Sequence, residues 1–172
     1  IKYLKMAREV PGAKTTISLM ADRDYFGDDY TPMVPLMDVV MTHAWEKSRQ
    51  IFLLSNKERI AHPLPYNNGW ARYVWGFYVW KSDSGGNWQW VYNWENSHGW
   101  LPLFNSGEAS AAFVYPGGYA PTLKYEWVRE GITDYRYIRT LEKLLASKPT
   151  APASKQAKDW LALLHKFLPE YP

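Results

Sequence analysis

The sequence predicts an α/β protein in which about four parallel strands alternate with helices or loops. Short β-branched or apolar runs recur at intervals of roughly 25 to 35 residues, as expected of strand and helix repeats. The run at 37–42 lacks the alternation of a half-exposed strand, which is typical of a parallel strand that is covered on both faces. Helical spacing dominates the last third of the chain and predicts further C-terminal helices.

The first part of the chain predicts one helix and two strands. Apolar positions in 1–10 have helical spacing and end at a Pro-Gly pair, so this segment is expected to be an amphipathic helix. The β-branched run 14–20 is expected to form the first strand, and 37–42 the second. A short helical turn is expected before Pro35.

The middle of the chain predicts the remaining strands around a buried helix. Residues 46–59 are expected to be helical in part, and 60–66 to form the third strand. Residues 70–81 are apolar nearly all round, as in a buried helix, although their pattern fits period two almost as well. A turn is expected at 82–86, and 88–94 is expected to form the fourth strand.

Aromatic residues are concentrated in this middle part, since seven of the ten tryptophans lie between Tyr66 and Trp100. In the fourth predicted strand the rings alternate with smaller residues, which places them on one side of a sheet. Ordinary core packing would also explain large aromatics. Asn67, Asn68 and Asn93 lie among the rings, however, and this mixture suits a sugar, which offers both apolar C–H faces and hydroxyl groups.

The C-terminal part predicts three helices. The first is expected to have Pro121 in its first turn and to stop or bend at Gly131. The second, 132–146, would have Asp134 in its first turn, where a carboxylate suits the helix dipole. A Pro-Ala-Ser linker at 147–154 separates these from a last helix over about 156–168. That last helix is expected to bury Trp160, Leu161, Leu164, Phe167 and Leu168.

Composition excludes several classes of function. The 172 residues contain no cysteine, which excludes disulfides, thiolate metal ligands and a cysteine nucleophile. Twenty Lys and Arg against seventeen Asp and Glu give a dispersed net charge of +3, unlike a nucleic-acid-binding face. No apolar run is long enough for a membrane span. The four histidines lack paired metal spacing, so neither a metal nor another cofactor is predicted.

One stretch near the C-terminus carries a family pattern. The segment FVYPGG is followed by PTLKYEWVREGITDYRYIRTLEKL, which resembles the C-terminal signature of the glycoside hydrolase family 123 type of catalytic domain, also called domain of unknown function 4091. The matching positions are Tyr115-Pro116, Leu123 with Glu126, Arg129 to Ile132, and Asp134-Tyr135. Upstream, YNNG and the tryptophan-rich strand are similar to the later barrel section of that family, so the resemblance covers about two thirds of the chain.

The resemblance implies the C-terminal half of a (β/α)8 barrel and a β-N-acetylgalactosaminidase-like or related activity. In such enzymes the 2-acetamido group of the sugar attacks the anomeric carbon, assisted by an adjacent Asp-Glu pair, and they lie outside the two-carboxylate scheme. This chain has no Asp-Glu dipeptide. The catalytic acids are therefore expected upstream, and no catalytic residue is assigned here. Residues 1–146 would form the half-barrel, 147–154 the linker, and 155–172 a terminal helix on the same domain.

The barrel interpretation selects a sugar-binding site, because functional groups of such barrels lie at the carboxyl ends of the strands. Stacking walls and hydrogen-bond partners are expected from His43, Trp45, Tyr66, Asn67, Asn68, Trp90, Tyr92, Trp94 and Tyr115. The nearest acids are Glu46, Asp83, Glu95 and Glu108, and none is assigned as the catalyst. Arg72 is expected to pair with a carboxylate. Glu126, Arg129, Glu130 and Asp134 are expected to form a structural ion-pair and capping network.

The sequence leaves two alternatives open, a non-catalytic carbohydrate-binding domain and a purely structural half-barrel. The expected partners are an oligosaccharide or glycoconjugate, together with an N-terminal half of the same barrel or further copies of the chain. A half-barrel requires such a partner because it leaves open sheet edges. The family resemblance implies an extracellular or periplasmic setting in bacteria.

Overall fold

The computed structural model describes residues 1–16, 18–19, 31–43, 58–62, 68–88, 113–115 and 120–169. These residues fall into two compact units. The first holds the described residues of Ile1–Leu64 and Asp83–Trp90, and the second holds those of Pro65–Ser82 and Val91–Glu170. The predicted helical segment 46–59 lies outside the described residues, except for its last two residues, which belong to a strand.

The first unit begins with helix α1, Lys2–Arg8, as the sequence predicts. A 3₁₀ helix, Thr31–Leu36, follows and continues through Pro35, so the helical turn predicted before this proline is present and longer than expected. The Arg8 guanidinium donates a 2.8 Å hydrogen bond to the Pro35 carbonyl oxygen. The buried side chains between these helices and the sheet form one small core of Leu4, Val34, Met37 and Val40.

Four strands in the first unit form a parallel sheet whose order follows the chain. They are β1 (Ser18–Leu19), β2 (Val39–His43), β3 (Glu58–His62) and β4 (Gly86–Asn87). β1 pairs with β2, β2 with β3, and β3 with β4, all in parallel. The α/β class with a parallel sheet is therefore present, as the sequence predicts.

The strand boundaries differ from the predicted ones. β3 begins at Glu58 and ends at His62, before Pro63, because proline cannot donate a ladder hydrogen bond. Gly86 was predicted to lie in a turn, but it pairs with Ile60. The predicted strand 88–94 lies outside the described residues apart from Trp88, which directly follows β4.

The first strand is also shorter than predicted. Thr15 was predicted to be part of this strand, but it instead forms hydrogen bonds with residues at the start of β2. Its N–H and hydroxyl groups both donate 2.8 Å hydrogen bonds to the Asp38 carboxylate. Its carbonyl oxygen accepts the N–H groups of Asp38 and Val39. Side-chain bonding of this kind gives the backbone an alternative to the ladder, and residues 14–16 lie outside the strand.

The second unit contains the buried helix that the sequence predicts for 70–81. It consists of an α-helical segment Asn68–Tyr73, a π-helical segment Val74–Tyr78 and a final turn Val79–Lys81. We call this continuous helix 68–81 α2. Its buried residues are Ala71, Val74, Gly76, Tyr78 and Val79. The segment therefore follows the helical period of 3.6 residues and not the period of two that fits its sequence almost as well.

The two helices predicted on either side of Gly131 are one helix, α3, Leu123–Ser147. The helix continues through Gly131, which packs closely against α2. A Cβ atom at Gly131 would lie 2.4 Å from the Arg72 carbonyl oxygen, and one at Gly76 would lie 2.6 Å from the Gly131 carbonyl oxygen. The predicted helix break is therefore wrong, and so is the predicted place of Asp134 in a first turn.

α3 begins one residue after a threonine cap. The Thr122 hydroxyl accepts the Tyr125 N–H at 3.3 Å, which satisfies one of the free N–H groups of the first turn. Pro121 lies before this cap and not in the first turn, contrary to prediction. It pairs instead with Val114 in an isolated antiparallel bridge.

The last helix, α4, spans Ser154–Phe167 and follows the predicted linker region. Its predicted burial is wrong at two positions, since Trp160 is 61% exposed and Phe167 is 74% exposed. Helical spacing identifies an apolar face but does not show whether a neighbour covers it. α4 instead contacts the rest of its unit through His165, whose ring lies 5.5 Å from that of Trp80.

Candidate functional site

Strands β2 and β3 end side by side in histidine. His43 and His62 are the last residues of their strands and are register partners in the parallel ladder. Neighbouring strands lie about 4.8 Å apart, so two imidazole-bearing positions are adjacent at the carboxyl ends of the strands. Functional groups of parallel α/β proteins are found at this edge.

These two histidine positions belong to the side of the sheet opposite the small core. Val40 is fully buried in that core, whereas Val39 and Met41 are only half-buried. Because strand positions alternate between the two faces, the position of His43 belongs with those of Val39 and Met41. Register partners in a parallel ladder share a face, so the position of His62 belongs there too.

An aromatic residue follows at the same edge of the sheet. Ala61 pairs with Asn87 in the register of β3 and β4, and Trp88 is the next residue after Asn87. Its side chain is 41% exposed. The strand ends of the first unit therefore present two histidine positions and a partly exposed indole.

Only part of the predicted sugar site lies among the described residues. His43 ends β2, as predicted. Asn68 begins helix α2 and was predicted to lie in a loop. Tyr115 is half-buried, and its N–H donates a 2.9 Å hydrogen bond to the Ala120 carbonyl oxygen. The other predicted residues, Trp45, Tyr66, Asn67, Trp90, Tyr92 and Trp94, lie outside the described residues, so the grouping of all these residues into one site stays a prediction.

His62 is a site residue that the sequence analysis missed. The third strand was predicted to run to Tyr66, which placed its carboxyl end at 66–68. The described strand is Glu58–His62, and residues 63–66 of the predicted strand lie outside the described residues. The signal was present in the sequence, because Pro63 and Pro65 are poor residues for a central ladder.

Charged groups of the second unit form structural pairs, as predicted. The Arg72 guanidinium donates hydrogen bonds of 2.6 and 2.9 Å to the two carboxylate oxygens of Asp134. These hydrogen bonds raise the pKa of Arg72. Arg129 likewise donates to Glu126 at 2.8 Å and to Glu130 at 2.6 Å on the exposed face of α3.

The described residues contain no group of three or more His, Asp or Glu side chains that could hold a metal ion. Of the acids considered near the site, Asp83 is exposed in a turn with a positive φ of 51°, and Glu46, Glu95 and Glu108 lie outside the described residues. The structure therefore assigns no catalytic acid among the part it describes.

A shallow depression of about 530 Å³ lies along the exposed side of α4. The Trp160 ring lines it together with the apolar Leu163 and three polar side chains. The full lining is Pro152, Lys155, Gln156, Asp159, Trp160 and Leu163. An exposed indole beside hydrogen-bonding groups is able to stack on a sugar ring.

Comparison of the chain with protein-family models, with curated proteins and with solved structures found no match. None of the helices in the described part of the chain combines the length and the apolarity required to cross a membrane.

Proposed function

We propose that this chain is the C-terminal half of a glycoside-hydrolase-type (β/α)8 barrel of the β-N-acetylgalactosaminidase-like or a related kind. It contributes a sugar-binding wall, and the catalytic acids come from outside this chain. The observation that carries the proposal is the parallel sheet, whose strand order follows the chain. Its two central strands, β2 and β3, end side by side in His43 and His62. Barrels of this class have that strand order and place their sites at that edge.

The chemistry of this edge supports sugar recognition. Imidazole groups donate and accept hydrogen bonds, and sugars offer hydroxyl groups in fixed positions. Trp88 adds an indole face that contacts sugar C–H groups. The outer strands of the described sheet, β1 and β4, would pair with the remaining barrel strands, which supports an N-terminal half or another copy of the chain as partner. An oligosaccharide or glycoconjugate in an extracellular or periplasmic setting is the proposed substrate.

The test is binding of N-acetylgalactosamine oligosaccharides, measured by isothermal titration calorimetry. We expect His43→Ala and His62→Ala each to weaken binding by roughly 5- to 10-fold, the effect of one lost hydrogen bond. His165→Ala is the matched control, because that histidine lies on α4, and it should bind as the wild type does. Equal affinity in all four proteins would contradict the proposed site. Hydrolysis of an aryl N-acetyl-β-galactosaminide by the full native polypeptide tests the activity itself.

A second candidate function is non-catalytic carbohydrate binding, and the exposed Trp160 in its polar-lined depression favours it. Trp160→Ala should then abolish oligosaccharide binding, whereas Trp88→Ala should leave it unchanged. The hydrolase proposal predicts the opposite pattern for these two variants. Because both side chains are partly exposed in the native protein, both variants are expected to fold, and circular dichroism checks that they do.

A further inference from the structure

A buried lysine side chain lies at the start of α3, and no hydrogen bond or ion pair to its ammonium is found among the described residues. Lys124 is only 4% exposed. Among the described residues, nothing forms a hydrogen bond with its Nζ atom, which is itself buried. Burial lowers the pKa of Lys124 to about 8. A buried ammonium ordinarily requires an anionic or hydrogen-bonding partner, so the site is incomplete without one.

Lys124 lies near an aromatic ring and at the N-terminal end of a helix. Its Nζ atom lies 5.9 Å from the centre of the Phe113 ring, and cation–π attraction offsets only part of the desolvation cost. Lys124 is also the second residue of the 25-residue helix α3. The N-terminal end of a helix carries a partial positive charge, which disfavours a cation and favours an anion.

A second buried donor belongs to a ring that packs against Phe113. The Trp75 Nε1–H group is buried and has no hydrogen-bond partner within the described part of the chain. The Trp75 ring packs edge-on against Phe113, with ring centres 5.6 Å apart. The Phe113 carbonyl oxygen accepts hydrogen bonds from the N–H of Thr122 at 2.9 Å and from its hydroxyl at 3.1 Å. The backbone of Phe113 is therefore fastened to the helix cap.

We propose that Lys124, together with the first turn of α3 and the Trp75 indole N–H, binds an oxyanion group such as a carboxylate or a phosphate. Both unpartnered groups are hydrogen-bond donors, and the helix end adds further N–H groups without intrahelical acceptors. An oxyanion supplies both the acceptors and the negative charge that this position lacks. The proposal is independent of the sugar site, since all its residues belong to the second unit and none is needed for the sugar-binding wall.

The first experiment measures the melting temperature in sodium phosphate, acetate or chloride at constant ionic strength and pH 7. Phosphate should raise the melting temperature of the wild type and of Lys143→Met, a control variant at an exposed lysine of the same helix. Acetate should raise both melting temperatures as well if the site also accepts carboxylates. Lys124→Met should lose this response, and its phosphate affinity by calorimetry should fall by roughly 10-fold or more. Stabilisation by phosphate alone identifies a phosphate site, and stabilisation by both identifies a general carboxylate and phosphate site. An identical response of Lys124→Met and the wild type, or no response in the wild type, would overturn the proposal.

The second experiment uses the unmodified protein, so it does not depend on the folding of a variant. Proton titration of lysines labelled with ¹³C at Cε reports the pKa of each side chain. In chloride one lysine should titrate near pH 8, in accord with the value of about 8 for Lys124. Saturating phosphate should raise that pKa, because a bound anion stabilises the ammonium form. A titration near pH 8 that phosphate leaves unchanged would show a neutral amine without an anion site.

Discussion

In the middle of α3, Asp134 accepts two hydrogen bonds from the Arg72 guanidinium of α2, whereas at the start of the same helix Lys124 is buried and no hydrogen bond reaches its ammonium from the residues described. The consequences for the two cations are opposite. Hydrogen bonding to Asp134 raises the pKa of Arg72, and burial lowers the pKa of Lys124 to about 8. One helix therefore contains a completed ion pair and an uncompleted cationic site.

The Arg72–Asp134 pair holds two helices together, whereas the group at Lys124 is able to bind a ligand. Around Gly131 the backbones of α2 and α3 approach so closely that neither glycine leaves room for a methyl group. The Arg72–Asp134 pair joins the same two helices, so the charges of both side chains are paired there. At Lys124 the polar groups are buried but not satisfied, and natural proteins rarely leave such groups unpaired without a functional reason.

Gly131→Ala should cause the largest loss of stability, because it breaks the close helix contact. The new Cβ atom would lie 2.4 Å from the Arg72 carbonyl oxygen, so the helices would have to move apart. We expect the free energy of unfolding to fall by about 3 kcal/mol, measured by urea denaturation, despite the higher helix propensity of alanine. Gly86→Ala is the control, since no atom of the described residues lies within 4 Å of its Cβ position. A Gly131→Ala protein as stable as the wild type would show that the helices are farther apart.

Lys124→Met should stabilise the protein at neutral pH and so test the uncompleted site. The folded pKa of about 8 lies below the ordinary value of 10.5. Below pH 8 the burial penalty is therefore fully present, and it is lost as the pH rises from 8 to 10.5. In phosphate-free buffer at pH 7, the variant should exceed the wild type by on the order of 3 kcal/mol, and the two should converge above pH 10.5. A constant difference at all pH values would contradict the burial of a charged amine at this position.

The sequence predicts the elements of this fold better than it predicts their boundaries and surroundings. The parallel strands and the buried helix 68–81 follow from apolar patterning, which is a local property. Gly131 was predicted to break α3 because glycine disfavours helices by about 1 kcal/mol. The close contact with α2 outweighs that preference, and a contact across 59 positions between Arg72 and Gly131 leaves no local signal.

The candidate site is less predictable for the same reason. The rule for strand ends selects residues correctly only if the strand ends are known. The predicted end of the third strand at Tyr66 drew attention to residues 66–68 and away from His62, the last described residue of β3. A partner for Arg72 was predictable from the cost of a lone cation in an apolar helix, but its identity as Asp134 was not. The burial of Lys124 was not predictable, since lysines in the first turn of a helix are ordinarily solvated.

Asp134→Asn should have the smallest effect of these substitutions, and it tests whether the ion pair is mainly structural. The Arg72 side chain is 43% exposed, so solvent screens the pair and the expected loss of unfolding free energy is about 1 kcal/mol. Arg139→Gln removes a more exposed pair with Glu142 and should cost less than about 0.5 kcal/mol. Neither substitution should alter the response to phosphate, because neither residue contributes to the site at Lys124. If Asp134→Asn abolished anion binding while the protein stayed folded, the start and the middle of α3 would act as one site. That result would contradict the distinction between a structural ion pair at Asp134 and a separate anion site at Lys124.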